Sequence, residues 1–277
     1  MKTLIHGFIA FATAAMLLSC AMPHQSSSLY FPKQTLFVSN QDGDREIFVA
    51  NLDGSAQKQL TNNDSDDYEA SWSPSGDLIA FTSNRLKGNT EVYLMNADGS
   101  NQVNISQGPG FDGRARWSSD GKFIAFNSAR NGAEQIYLWE RKTGEVTQLT
   151  DNPYASIGPV WSNDSQWIAY QNYGESHKPD LWITSIDGKR NRQLTDQVKS
   201  EDGAFNWSPD DRKIVFHSRR NYQYNIFIYD LNDNQEVKIT NTNTSDVNPV
   251  WSTSGNSIAF MSNRGQYGRT QICIMKE

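Results

Sequence analysis

Four aspartates and four arginines recur at fixed positions along this 277-residue chain. Asp67, Asp112, Asp202 and Asp246 each stand five residues before a Trp-Ser dipeptide, and Arg85, Arg130, Arg220 and Arg264 each stand thirteen residues after one. Two chemistries suit such a set. Carboxylates gathered about one axis could hold a cation, or each Asp could take the paired hydrogen bonds of a guanidinium. The remaining repeat has Ser156 in place of the Asp and Gly174 in place of the Arg, so the two are lost together. Joint loss is what a pair predicts, and an Arg beside every Asp would repel a cation. The expectation is therefore four structural pairs, each lying opposite one another on adjacent strands, and no metal site.

Other groups able to do chemistry are few. Beyond residue 34 the histidines are His177 and His217, at different repeat positions. His217 ends a strand of buried type and reads as a packed core residue; His177 lies in a loop with Lys178 and Asp180. The chain has no Gly-x-Ser-x-Gly elbow, no Cys or His cluster at metal spacing and no phosphate loop. No catalytic residue and no cofactor are expected. Two loops stand out, Arg219-Arg-Asn-Tyr-Gln-Tyr224 and Arg264-Gly-Gln-Tyr-Gly-Arg269, because Tyr and Arg are the residues enriched at binding hot spots. The candidate ligand-binding residues are Tyr68, Glu69, Arg114, His177, Tyr222, Tyr224 and Arg269.

The elements that must position these groups follow from the dipeptides themselves. Trp72, Trp117, Trp161, Trp207 and Trp251 are separated by 45, 44, 46 and 44 residues, and a period of that size marks a β-propeller. In one repeat, Glu69–Trp72 reads as a strand, Ser73-Pro-Ser-Gly76 as a tight turn and Leu78–Thr82 as a buried second strand. Glu91–Met95 then reads as a third strand, Asp98-Gly99 as a hairpin turn and Asn101–Ser106 as a polar outer strand. Second strands open at or contain Leu36, Leu78, Phe123, Trp167, Lys213 and Ser257. The fold class is all-β, a six-bladed propeller whose first and last blades are incomplete. Because the chain alternates in direction, the loops before the Trp strands share one face with the loops between second and third strands. The candidate residues belong to that loop face, and the short turns occupy the other. Residues 28–32, Ser-Leu-Tyr-Phe-Pro, could supply a further strand, expected inside blade 1.

Ahead of the propeller, Lys2 precedes an apolar run from Leu4 to Leu18, the layout of a secretory signal peptide. Leu17-Leu-Ser-Cys20 resembles the lipobox of bacterial lipoproteins, which implies acylation of Cys20. By the same resemblance, Ala21 after the Cys implies the periplasmic face of the outer membrane in a Gram-negative source. The expected organisation is a signal peptide over 1–19, the lipidated Cys and a tether over 20–34, and the propeller over 35–277. Cys273 is left without a partner and is expected to be a buried small hydrophobe. The net charge of −6 argues for solubility and offers nothing to nucleic acid.

Trp72-Ser-Pro-Ser-Gly-Asp-Leu-Ile-Ala-Phe-Thr-Ser-Asn-Arg85, followed by Val92-Tyr-Leu-Met-Asn-Ala-Asp-Gly99, resembles the repeat of TolB-like propellers. The resemblance extends over residues 35–277. It implies a six-bladed periplasmic propeller that binds an envelope protein, in TolB proper the peptidoglycan-associated lipoprotein. TolB proper also carries an α/β domain ahead of its propeller, and no segment for one is expected here. Prolyl oligopeptidases use similar repeats with an added hydrolase domain, and oligogalacturonate lyases look similar but use a His-rich metal site. The expected function is a lipid-anchored, non-enzymatic binding or scaffold module for an envelope protein or a cell-wall glycan. The rival is a lyase-like enzyme acting on carbohydrate in the propeller channel.

Overall fold

The computed structural model describes residues 33–276 except 42, 87, 176, 197–200 and 266–267. Within them the strands form six antiparallel sheets in sequence order, four of four strands and two of three. These are the blades of a β-propeller, and no α-helix occurs among the described residues. Blade 2 shows the full pattern, with inner strand Asp67–Trp72, second strand Leu78–Leu86, third strand Asn89–Asn96 and outer strand Val103–Asn104. The outer strand is shorter than its sequence suggests, since a polar edge with few burial partners has little to hold more residues in a ladder. The expected strand over residues 28–32, the expected signal peptide and Cys20 lie outside the described residues.

The Trp-Ser dipeptide has a local cause. Each Ser hydroxyl accepts the N–H of the residue that opens the second strand, 3.1 Å at Ser73–Leu78, 3.0 Å at Ser118–Phe123 and 2.9 Å at Ser162–Trp167. The turn is thereby closed by a side chain as well as by backbone. The Trp itself fills the gap between blades. Trp117, Ile124 and Phe126 of blade 3 pack on Ala80 and Val92 of blade 2, and Trp251, Ile258 and Phe260 of blade 6 repeat this against Val215, Ile226 and Ile228 of blade 5. Burying one such side chain stabilises by roughly 1.5–3 kcal/mol, so the core is a chain of like interfaces. A second recurring bond pins the far end of each blade. The hydroxyls of Thr61, Ser106, Thr150, Thr195 and Thr240 accept the N–H of Ile47, Val92, Ile136, Leu181 and Ile226.

The series breaks where the ring would close. Among the described residues, blade 1 begins at Gln34–Ser39, which aligns with the second strands, and blade 6 has no strand after its third, Gln271–Lys276. Ile272 and Ile274 are 75% and 74% exposed, whereas the matching Ile226 and Ile228 of blade 5 are 0% and 9%. The expectation of a buried Cys273 is corrected: it packs on the cluster shared with blade 5 but is only partly covered, because among the described residues blade 6 has no outer strand beside it.

Candidate functional site

Every inner strand carries a β-bulge just above its Trp, where the register slips against the second strand. Three residues before the Trp the backbone is left-handed at Glu69 (φ 55°), Arg114 (φ 57°), Gly158 (φ 69°) and Asn248 (φ 53°). The bulge absorbs one residue of the inner strand and so alters the pairing above it. Asp67, Asp112 and Asp246 stand opposite Ser83, Ser128 and Ser262, not opposite the arginines. The arginines reach their carboxylates diagonally, 2.8 Å for Arg85–Asp67, 3.0 Å for Arg130–Asp112 and 2.9 Å for Arg264–Asp246.

Each of these arginines does three things at once. Its Nε donates to the intervening Ser (2.8 Å at Ser83, 2.7 Å at Ser128 and at Ser262). Its guanidinium lies over an aromatic ring, Tyr93, Tyr137 or Phe260. All three carboxylates are wholly buried, so the pairs are interior knots and not surface ion pairs. Burial works against the charge of Asp246, but hydrogen bonds from Ser262 and Arg264 outweigh it and hold its carboxyl below the usual range. In the repeat without the charges, Asn172 Nδ2 donates to Ser156 Oγ at 3.0 Å and replaces the pair with a neutral bond.

The expected Asp202–Arg220 pair is corrected. Arg220 donates instead to both oxygens of Glu236 on the outer strand, at 2.5 and 2.7 Å. Burial opposes the Arg220 charge, and these bonds outweigh it and raise its pKa. Glu236 on the neighbouring outer strand supplies two acceptor oxygens to the guanidinium and leaves Asp202 without it, and burial raises the Asp202 pKa.

Around the channel the bulges are tied to the preceding blade. Glu69 Oε2 accepts the N–H of Arg114 at 3.0 Å, Asn127 Oδ1 that of Gly158 at 3.0 Å, and His217 Nδ1 that of Asn248 at 3.2 Å. Burial lowers the His217 pKa to about 4, so the ring is neutral and able to accept. A Cβ at Gly203 would lie 2.0 Å from His217 Nε2, so only glycine leaves room for the ring.

Of the seven candidate ligand residues, the structure joins Glu69 to Arg114, and Tyr224 to His217 by an edge-on ring contact at 5.5 Å. Arg219 lies 5.8 Å from the Tyr222 ring and 5.9 Å from the Tyr224 ring, and pairs with Glu201 at 3.3 Å. Tyr68 is half-buried beneath Arg45, 4.2 Å from its ring, and its hydroxyl pKa is raised by burial. His177 and Arg269 are exposed in separate loops of blades 4 and 6, and no described contact brings either to the other candidates. Tyr222 is 92% exposed. It occupies, with Asn221, a two-residue hairpin in which both residues have positive φ, 52° and 66°. The matching hairpin in blade 2 places Gly88 at its second position.

Arg116 was not among the candidates. It precedes Trp117 where other repeats have Ser71, Val160, Asn206 and Val250, and comparison at that one position would have marked it. Burial lowers its pKa, Glu69 raises it and the like charge of Arg114 lowers it further. Among the described residues no group of three or more His, Cys, Asp or Glu is placed to hold a metal ion.

Residues 145–277 match the TolB beta propeller domain family. The protein TolB homolog of Chlorobium luteolum is 26% identical over 205 residues, which is 74% of this chain but only 36% of that relative's length. Among solved structures, TolB from Acinetobacter baumannii superposes with a TM-score of 0.62 at 21% identity, covering 84% of this chain and 57% of that one. Oligogalacturonate lyase from Vibrio parahaemolyticus gives 0.66 at 13% identity, covering 87% and 74%. At such identities these structures speak to the fold alone.

Proposed function

We propose that this chain, which belongs to the TolB-like β-propellers, is a lipid-anchored periplasmic binding module with no chemistry of its own. It takes an envelope protein, such as a peptidoglycan-associated lipoprotein, or a cell-wall glycan, on its loop face. The observation that carries the reading is Tyr222. A left-handed residue at the second position of a two-residue hairpin is ordinarily Gly, Asn or Asp, and a bulky side chain there costs on the order of 1 kcal/mol. Tyr222 accepts that cost and gains no burial in return. Strain kept at an exposed aromatic, beside Arg219 and Tyr224, favours a contact residue over a structural one.

The loop-face charges that could have served a catalyst are largely spent within the fold. Three Asp–Arg knots are internal, Arg220 is held by Glu236, and the neutral His217 supports the Asn248 backbone. Affinity recovery from crosslinked envelopes tests the proposal. Tyr222→Ala should deplete the recovered partner, while changes at Ser75 and Asp77 in the turn face should not. The reverse pattern would place the contact on the wrong face, and turnover of an envelope glycan with one equivalent of metal would favour the enzyme.

A further inference from the structure

We infer that the channel mouth at blades 2 and 3 is a binding site for a single carboxylate on a peptide, held by Arg114 and Arg116. The two arginines come from one inner strand, Asp112–Trp117, Arg114 within its bulge and Arg116 just past it, close enough for each charge to act on the other. Among the described residues neither forms an ion pair. The one described hydrogen bond of the Arg116 side chain runs from Nη1 to the carbonyl of Ala115, at 2.8 Å, which leaves four of its five donors for a ligand. A guanidinium removed from bulk water without a counter-ion is costly, and a second cation two residues away adds to the cost. Such a pair becomes favourable when an anion completes it.

The neighbouring groups define the anion. The charged side chain set against the pair is Glu69, whose Oε2 is already engaged by the Arg114 N–H at 3.0 Å and the Thr82 hydroxyl at 3.4 Å. His217, farther round the bulge row, is neutral. Two cations and one carboxylate leave a single positive charge, which matches a monoanion; a phosphate dianion would be over-charged for the site and repelled by Glu69. A sugar acid would need further groups to read its hydroxyls, but the polar side chains along the row are taken up. Asn127 caps Gly158, His217 caps Asn248, and Gln171 donates to the Asp202 carbonyl at 2.6 Å. An acidic side chain or chain end on a peptide asks for the carboxylate contact and little else.

The inference rests on the loop-face reading, to which Arg114 belongs, and adds the chemical group that a peptide partner would present there. The indole N–H of Trp161 donates to the Arg116 carbonyl at 3.0 Å and serves as a reporter. Titration of ¹⁵N-labelled protein with N-acetyl-glutamate α-amide, which carries one side-chain carboxylate, should shift that indole signal saturably. Loss of a charge-assisted contact in Arg116→Gln or Arg114→Gln should weaken the binding about tenfold or more, and Tyr222→Ala should leave it unchanged. Should Arg116→Gln fail to fold, Arg114→Gln carries the comparison, because its side chain has no described contact in the fold. No saturable shift, wild-type affinity in both arginine variants, or tighter binding of D-glucuronate or inorganic phosphate would overturn the inference. If binding vanishes with Tyr222→Ala as well, the carboxylate sits at the blade 5 hairpin and not at Arg114 and Arg116, and the inference fails while the loop-face reading stands.

Discussion

Arg130 offers the sharpest perturbation of the interior knots. Its guanidinium reaches Asp112 Oδ2 at 3.0 Å, the Ser106 carbonyl at 2.9 Å and Ser128 Oγ at 2.7 Å, and lies 4.6 Å from the Tyr137 ring. Asp112 is wholly buried, and its other carboxylate oxygen has no hydrogen-bond partner. Arg130→Met keeps most of the stem that covers the ring but strands the carboxylate. Removing one partner of a buried pair typically costs about 3–5 kcal/mol, mostly as uncompensated charge. In urea this should lower the midpoint by about 1–2 M at unchanged slope. Adding Asp112→Ser, the residue that blade 4 carries as Ser156, removes the stranded charge. The double variant should therefore be more stable than Arg130→Met alone, with a coupling of about 2 kcal/mol or more. In Arg130→Met the buried Asp112 holds its proton more tightly than in the unfolded chain. The deficit is then largest at neutral pH and shrinks as pH falls and the carboxyl protonates. Additive single effects, or a single cost below about 1 kcal/mol as for surface pairs, would refute the argument that these charges are interior.

Two further perturbations test the packing. His217 has its pKa lowered to about 4 by burial, so the unfolded chain binds more protons than the folded one between about pH 6.5 and 4. Stability should fall through that window, by up to about 3 kcal/mol, and level off below it; denaturant midpoints against pH should show this limb, and His217→Gln should flatten it. Ile226→Ser in blade 5 should cost about 2–5 kcal/mol as a core truncation, whereas Ile274→Ser in blade 6 should stay within about 0.5 kcal/mol, both read by chemical denaturation. Equal costs would mean that Ile274 is covered in solution.

The features of this fold that repeat were legible, because repetition lets a sequence act as its own comparison. The Trp-Ser period located the second strands of five of the six blades, and the joint loss of Asp and Arg in blade 4 identified a pair. What escaped was set by three-dimensional detail with no repeated signature. The bulge beside Glu69 shifts the ladder by one residue, so the Asp faces a Ser and the Arg arrives from the diagonal. Arg220 turned to Glu236 because blade 5 carries an acid on its outer strand, at a position not spaced from any Trp in a regular way. Cys273 looked buried from its apolar neighbours, but its cover also depends on an outer strand beside it, which strand composition does not report. Arg116 hid in a position where Ser, Val and Asn also occur. The strain at Tyr222 had a sequence trace, an Asn-Tyr pair where a two-residue hairpin prefers Asn-Gly, yet the turn length was needed to read it.

The central claim is that the loop face is kept for contact at a cost in stability, and Tyr222→Gly measures both sides of it on one sample. Glycine relieves the left-handed backbone, so the denaturation midpoint should rise, by on the order of 1 kcal/mol. Recovery of the crosslinked envelope partner should fall at the same time, because the exposed ring is gone. A stabilised protein that still recovers its partner at the wild-type level would contradict the account.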